Sequence, residues 1–172
     1  KASSTIFTPE QIDQVRKHLR VQNPALGIFC DYVYYTFLRP KELIQIQIKL
    51  IDFARYRINL TPEIAKNDDV RVITIPPALH WHIDQLRDGA AQYLAKYGHK
   101  YPEVKYENAY IFGYGVAPHP KPFVKRDSVS EKFRKGVMLP LGLSEEHTLY
   151  VFKHSGVDAA LKKGYSIPAT MK

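Results

Sequence analysis

Two alternating segments, set inside a chain whose other patterns are helical, constrain the fold more than any other feature. Residues 56–60, YRINL, alternate between polar and apolar side chains with a period of two, and residues 70–75, VRVITI, do so in part. Pro62 and the run Asn67-Asp68-Asp69 lie between them, and residues of these types favour turns. The two segments therefore predict a small antiparallel sheet whose outward positions are polar.

Helical patterns precede this sheet. The segment Thr8-Pro9-Glu10-Gln11 has the residues of a capping box with proline at the first helical position, so a helix is expected to begin there. A second helix is expected to begin at Asn23-Pro24, and a third, short one at Pro40, running through Ile46.

Helical patterns also follow the sheet. A long helix is predicted over residues 78–97, with the inward positions Leu79, Ile83, Leu86, Ala90 and Leu94. Residues 98–126 are rich in proline and are predicted to be mostly loop.

Three further helix starts are predicted in the last part of the chain. Ser128 and Glu131 form a second capping box. Thr148 caps a helix that ends near Gly164, and Ser166 begins one more. The fold class is accordingly α+β and mostly α, a helical bundle with a small antiparallel β-sheet.

Composition limits the classes of function. The 172 residues suffice for one domain, expected over residues 6–172 with a disordered leader at 1–5. The 25 lysines and arginines exceed the 17 acidic residues and give a formal charge of +8. This sign favours nucleic acid or another polyanion as partner, although a basic protein without such a partner has the same composition.

The single cysteine and the apolar runs bear on location. Cys30 cannot form an internal disulfide, which fits a cytoplasmic protein, and its aromatic surroundings favour a buried structural thiol over a nucleophile. No apolar run approaches the length of a membrane span, so no membrane association is expected.

The segment Tyr35–Leu43, YTFLRPKEL, carries the first candidate for chemistry. Arg39 stands at the junction of two predicted helices, and its planar guanidinium group matches phosphate oxygens. Glu42 follows three residues later, close enough to hold Arg39 in place. A purely structural Arg39–Glu42 pair explains the same residues, and both interpretations stay open.

The predicted sheet carries further basic candidates. Lys66 lies beside the turn, where a lysine can reach a phosphodiester and donate a proton to a leaving oxygen. A solvated turn lysine is the alternative. Arg55 and Arg71 are candidates for contacts to DNA phosphates, or else plain surface residues.

The segment Leu149–Gly156, LYVFKHSG, places a lysine and a histidine together on an apolar helix. With Leu149, Phe152, Gly156 and Ala160 facing the core, Lys153 falls at the edge of the apolar stripe, and Tyr150 and His154 lie just beyond it. Lysine supplies charge, histidine exchanges protons and tyrosine donates a hydrogen bond. An ordinary boundary lysine on a capped helix would give the same pattern.

These motifs, taken in order, resemble the catalytic domain of the tyrosine recombinases, the phage-integrase family. The segment Phe37–Leu43 is similar to the family's GLRxxEL box, Lys66 to its hairpin lysine, and Tyr150–His154 to its HxxRH box. The resemblance runs from about Ile6 to the end of the chain.

Three positions depart from the family pattern. Phe37 stands where the family has glycine, Tyr150 where it has the first histidine, and Lys153 where it has the arginine. Tyrosine and lysine at the last two positions look like subclass variants. Lysine keeps the positive charge but lacks the bidentate fork of arginine, so it would bind the phosphate with a different hydrogen-bond geometry.

The resemblance implies that DNA strands are cut and rejoined through a covalent 3′-phosphotyrosine intermediate. Arg39 and Lys153 would neutralise the phosphate in the transition state, and Lys66 would protonate the leaving 5′-oxygen. His154 would position the phosphate or support proton transfer, and Tyr150 would donate a hydrogen bond to a nonbridging oxygen.

The resemblance also implies a supporting residue and the partners. Glu42 would orient Arg39, double-stranded DNA would be the partner, and the full-length protein would assemble as a tetramer on DNA. No metal and no cofactor are expected, and the histidines His80 and His82, two apart on a helix, face different ways.

The nucleophile of the family is not assigned in this chain. In the family it follows the HxxRH box at a distance, and Tyr165 lies too close to His154 to be assigned to this role, so we expect the chain to end before the nucleophile. Two other classes stay open: an inactive DNA-binding module derived from the same fold, and a protein-interaction domain whose charge is incidental.

Overall fold

The computed structural model describes residues 5–66, 70–123 and 126–166. Within these ranges the chain folds as two compact units. The first unit comprises residues 5–40 and 126–166, and the second comprises residues 41–66 and 70–123. The predicted leader at residues 1–5 stays a prediction, since residues 1–4 lie outside the described part.

The described elements follow one another along the chain as α1 Pro9–Gln22, α2 Pro24–Thr36, α3 Pro40–Leu43, a 3₁₀ turn Ile48–Leu50, β1 Ile51–Asp52, β2 Arg57–Leu60, α4 Pro62–Ala65, β3 Arg71–Thr74, a 3₁₀ turn Pro77–Leu79, α5 His80–Arg87, α6 Ala90–Tyr97, a 3₁₀ turn Tyr106–Asn108, α7 Arg126–Phe133, a π-helical turn Arg134–Met138 and α8 Leu149–Lys162. The predicted α+β, mostly helical class is confirmed.

The start of α1 in the first unit forms as its sequence predicts. The backbone N–H of Gln11 donates to Thr8 Oγ1 at 3.1 Å, and the backbone N–H of Thr8 donates to Gln11 Oε1 at 2.8 Å. These reciprocal bonds satisfy N–H groups that a helix leaves open at its beginning. The buried face consists of Ile12, Val15 and Leu19.

Helices α2 and α8 cross closely in the first unit. The crossing point is Gly156, where an added Cβ would overlap the backbone carbonyl of Tyr34. Just before it in α8, the buried ring of Phe152 packs against Tyr34 with ring centroids 5.6 Å apart, and against Phe7 at 5.1 Å. Glycine is required at this position because any side chain would push the two helices apart.

The start of α8 and the burial of Cys30 also match the sequence prediction. Thr148 Oγ1 accepts from the backbone N–H of Val151 at 3.2 Å, which is the predicted N-cap. Cys30 lies in the core of α2, and burial raises the pKa of its thiol well above the ordinary value. The thiol is therefore a core group, as expected.

The second unit contains the sheet. Its strand order is β1-β2-β3, antiparallel throughout, with Ile58 paired to Ile51 on one side and to Ile73 on the other. The predicted antiparallel sheet is confirmed, with β1 as a strand that the alternation did not reveal. The outward positions are polar with one exception, Val72, which is exposed.

The predicted helix over residues 78–97 is wrong as a single helix. Helix α5 ends at Arg87, and α6 begins at Ala90 after Asp88 and Gly89. Glycine weakens a helix interior, and the carbonyl of Leu86, which would accept from Ala90 in a continuous helix, instead accepts from the hydroxyl of Tyr106. The break separates α6 from the apolar pattern of α5.

This break changes which side of α6 is buried. Leu94, expected to face inward, is 54% exposed, and Ala90 is only half-buried. Tyr93 is the buried residue of α6. Its ring packs against Tyr97 and Tyr106, with centroids 5.4 and 5.2 Å apart.

Several other boundaries differ from the prediction. Helix α3 ends at Leu43 rather than Ile46, and α7 begins at Arg126, so Ser128 lies inside the helix. Pro62 begins α4 instead of a turn, because proline suits the first position of a helix.

Two predicted features lie outside the described residues. These are the turn at residues 67–69 and the continuation of a helix beyond Ser166. Residues 98–123 are mostly loop, as predicted. Within the described ranges, no helix has the length and apolar character that crossing a bilayer requires.

Candidate functional site

The end of α2 fixes the backbone that carries Arg39. Phe37 caps the helix in the left-handed conformation, with φ of 62° and ψ of 17°. The left-handed conformation costs a residue with a Cβ about 1–2 kcal/mol of conformational energy. Glycine avoids this cost, which fits the glycine that the family pattern has at this position. Leu38 is completely buried and anchors the turn, so half-buried Arg39 is held at a defined point before Pro40.

Helix α8 brings together Tyr150, Lys153 and His154, as the sequence predicts. The rings of Tyr150 and His154 meet edge to face, with centroids 4.6 Å apart. The Nζ atom of Lys153 lies 5.4 Å from the centroid of the Tyr150 ring, within the range of a cation–π interaction. One turn of helix thus joins a cation, an imidazole and a phenol.

Lys153 does not lie at the edge of the apolar stripe. It is 1% exposed, which corrects the prediction. Lys153 comes four residues after Leu149 and three before Gly156, so all three share one helical face, and the close approach of α2 at Gly156 buries that face. Tyr150, at the outer end of the cluster, is half exposed.

The environment of His154 favours its neutral form. Burial lowers the pKa of its imidazole below the ordinary value, and the positive charge of Lys153 lowers the pKa further. At neutral pH the ring can therefore donate a hydrogen bond from one nitrogen and accept at the other.

In the second unit, Glu42 forms an ion pair with Arg71. The Nη2 atom of Arg71 lies 2.8 Å from Glu42 Oε2, and the side chains are 15% and 2% exposed. This pair connects α3 to β3. The sequence analysis considered only Arg39 as a partner of Glu42 and did not predict this ion pair. The period-two alternation that buries Ile73 and Ile75 places Arg71 on the same inward face of the strand, so it could have indicated that Arg71 needs a buried partner.

Lys66 lies in the connection between β2 and β3, as expected. It ends α4 in the left-handed conformation, with φ of 59°, and its backbone N–H donates to the carbonyl of Pro62 at 2.8 Å. The side chain is exposed. An exposed ammonium on this connection is accessible to an external phosphate.

Arg55 and Tyr165 are both on the surface. Arg55 is paired with Asp52 at 3.1 Å, and its side chain is 66% exposed. Such a pair contributes little to stability and leaves the guanidinium group accessible to a phosphate. Tyr165 is exposed just after Gly164, which has a φ of 86°.

The histidines considered as metal ligands are part of the packing of the second unit. His80 stacks on Tyr56 with ring centroids 3.7 Å apart. His82 is buried and stacks on Phe112, and burial lowers the pKa of its imidazole to about 4. In the part of the chain that the structure describes, no group of three or more histidines, cysteines or acids could hold a metal ion.

Comparison with solved structures identifies recombinase folds. The chain superposes on XerA recombinase with a TM-score of 0.67 at 13% identity, covering 96% of this chain and 52% of that chain. Two structures of the Tn1549 transposon integrase, one with a circular intermediate DNA and one with transposon right end DNA, give TM-scores of 0.64 and 0.63 at 14% and 15% identity. Each of these two superpositions covers 96% of this chain and 56% of the integrase chain.

The fold is therefore that of a tyrosine recombinase catalytic domain. The sequence itself matches no protein-family model, and no curated protein matches it significantly. The chain spans about half the length of the solved structures that it matches.

Proposed function

We propose that this chain is part of a site-specific DNA recombinase that cuts and rejoins strands through a covalent 3′-phosphotyrosine intermediate. The observation that carries the proposal is the cluster on α8, where buried Lys153 lies beside Tyr150 and a His154 held neutral. This cluster belongs to a chain with the recombinase catalytic fold. The same residues on an unrelated fold would carry no such argument.

Each proposed role follows from the chemistry of the side chain. Arg39 and Lys153 neutralise charge that develops on the nonbridging oxygens, and Tyr150 donates a hydrogen bond to one of them. His154, neutral at pH 7, positions the phosphate or transfers a proton. Lys66, exposed after α4, protonates the leaving 5′-oxygen.

The remaining basic residues are proposed to position the DNA. Arg55 and Arg71 contact backbone phosphates, which fixes register without reading sequence. In the structure Arg71 is already paired with Glu42, which fixes the direction of its guanidinium group. That Glu42 also orients Arg39, and that the whole protein assembles as a tetramer on DNA, stay predictions.

The chain itself is expected to bind double-stranded DNA with strong salt dependence. If Arg39, Arg55, Arg71 and Lys153 each neutralise one phosphate, log K falls against log salt with a slope of about −3.6 or steeper. Fluorescence anisotropy with a labelled duplex between about 50 and 200 mM salt measures this slope. Absence of binding at low salt would instead favour a protein-interaction domain.

An inactive DNA-binding module is the second candidate function. The observation in its favour is that a lysine, buried to 1% exposure, stands where the family has an arginine. Such a module would show the salt-dependent binding and no strand cleavage. Binding alone therefore does not separate the two, and a cleavage experiment is needed.

A further inference from the structure

The end of α6 and the loop that follows it carry a group of aromatic and basic side chains that the proposed chemistry does not use. We name it the aromatic–lysine cluster, and it consists of Lys96, Tyr97, Lys100, Tyr101, Tyr114, His119 and Lys121. All seven residues belong to the second unit.

His119 is the centre of the cluster. Its ring centroid lies 4.7 Å from that of Tyr97, 6.0 Å from Tyr101 and 5.6 Å from Tyr114. The backbone fixes the ring's position, because the N–H and C=O groups of His119 bond those of Tyr110 at 3.1 and 2.9 Å. The backbone N–H of Lys121 donates to His119 Nδ1 at 2.9 Å, so that nitrogen is the acceptor.

Three lysines lie over these rings. Lys96 Nζ is 5.3 Å from the centroid of Tyr97, and the Nζ atoms of Lys100 and Lys121 are 5.6 and 5.5 Å from that of Tyr101. The ring faces attract the ammonium groups but leave their charge in place. This arrangement restricts three flexible side chains and lowers the entropy that binding an anion would cost.

The lysines of the cluster differ in their pairing from three helical lysines of this chain. None of the three ammonium groups forms an ion pair with a carboxylate among the described residues. Elsewhere the chain pairs such lysines along its helices: Lys17 with Asp13, Lys135 with Glu131 and Lys162 with Asp158, at 2.9, 3.6 and 2.9 Å. The cluster thus keeps three exposed lysines together without the carboxylate partners that Lys17, Lys135 and Lys162 have.

The pKa of His119 reports the same local charge. Burial lowers the pKa of its imidazole, and the charges of Lys121, Lys96 and Lys100 lower it further, in that order. Three ammonium groups therefore act on one ring from separate points of the chain. A site where a neutral histidine is favoured by surrounding cations attracts an external anion.

We propose that the aromatic–lysine cluster is a binding site for the phosphate backbone of DNA, separate in its residues from the candidate catalytic cluster. The inference rests on the proposed function in one respect, that DNA is the partner. Lysines bind phosphates as point charges without reading bases, and tyrosine hydroxyls donate hydrogen bonds to phosphate oxygens. Tyr114 is 67% exposed, and its ring can also pack on the sugar edge of a duplex.

The test compares two triple variants that remove the same charge. K96Q/K100Q/K121Q removes the cluster lysines, and K17Q/K135Q/K162Q removes three lysines that are paired with acids. DNA affinity and salt slope are measured by fluorescence anisotropy with the same duplex. Losing three phosphate contacts is expected to make the slope less steep by about 2.7 for the cluster variant. The slope of log K against log salt for the control variant is expected to differ from the parent slope by no more than about 1.

A third variant, K96R/K100R/K121R, keeps the charge and the ring contacts and is expected to bind as the parent does. Circular dichroism and melting confirm that each variant is folded. Equal loss in the cluster variant and the control variant would overturn the proposal, as would an unchanged slope in the cluster variant. Loss of binding in the arginine variant would overturn it as well.

A competitor distinguishes DNA from an acidic protein segment. The expected result is that a polyglutamate peptide of the same total charge displaces the duplex much less well than unlabelled duplex does. Displacement by the peptide at equal charge concentration would overturn the assignment to DNA.

The outcome is independent of strand cleavage. If the parent chain binds DNA and the cluster variant binds equally well, this inference is wrong and the recombinase proposal is unaffected. If the cluster variant loses DNA affinity while the longer protein does not cleave DNA that contains its target site, the recombinase proposal is wrong and this inference is supported.

Discussion

Replacing Arg39 by alanine, in the longer recombinase to which we assign this chain, is expected to lower the rate of strand cleavage by about 10²–10³-fold. In the proposed mechanism the guanidinium group supplies charge and a bidentate fork to the phosphate as the phosphate gains negative charge. Loss of one such donor typically costs about 2.7–4 kcal/mol. The rate is measured under single-turnover conditions on a DNA substrate that contains the target site.

Two variants serve as controls for this prediction. Arg39→Lys keeps the charge and is expected to fall between the parent and Arg39→Ala, because lysine lacks the fork. Arg87→Ala removes an exposed arginine that is paired with Asp84 and Asp88, and is expected to cleave normally. Near-normal cleavage by a folded Arg39→Ala variant would contradict the assignment of Arg39.

Replacing Gly156 by alanine is expected to destabilise the chain by about 3 kcal/mol, at the upper end for overpacked positions. The new Cβ would overlap the backbone carbonyl of Tyr34 in the last turn of α2, and a backbone atom cannot rotate away as a side chain can. For a chain of this length the melting temperature should fall by roughly 6–12 °C. Thermal melting followed by circular dichroism measures this shift.

Gly136→Ala is the matched control. A Cβ there would lie 3.8 Å from Leu26 Cδ2, an ordinary van der Waals distance, so this variant is expected to melt within about 2 °C of the parent. If Gly156→Ala melted as the parent does, the close crossing of α2 and α8 would be wrong, and with it the explanation for the burial of Lys153.

Local signals in the sequence predicted the elements that depend on local chemistry. The capping box at Thr8, the N-cap at Thr148 and the alternation around Ile58 all appear in the structure as expected. Each signal acts within a few residues, through side-chain hydrogen bonds to nearby backbone or through the pleat of a strand. Such features are readable without knowing what packs against them.

Features that depend on distant contacts were missed. The break between α5 and α6 uses the hydroxyl of Tyr106, twenty residues from its acceptor Leu86, and no helical period reveals such a bond. Strand β1 has two residues, too few for an alternation to show. These elements are determined by packing rather than by propensity.

The candidate site was predicted in its members but not in its surroundings. The i,i+4 spacing brought Tyr150 and His154 together as expected, whereas the burial of Lys153 depends on how closely α2 approaches Gly156. The ion pair between Glu42 and Arg71 was missed because Arg71 lies on another element. Helical spacing describes one face of one helix and says nothing of the element that covers it.

The most direct test of the central claim is covalent trapping. A protein that contains this chain and the further segments found in the matched recombinases is incubated with a suicide DNA substrate carrying its target site. The adduct is then resolved on a denaturing gel, and the linked residue is mapped by peptide sequencing. We predict an adduct at the 3′-phosphate through a tyrosine outside residues 1–172, abolished by replacing that tyrosine with phenylalanine. DNA binding with no adduct, on a substrate shown to contain the target site, would contradict the recombinase assignment and establish the inactive DNA-binding module.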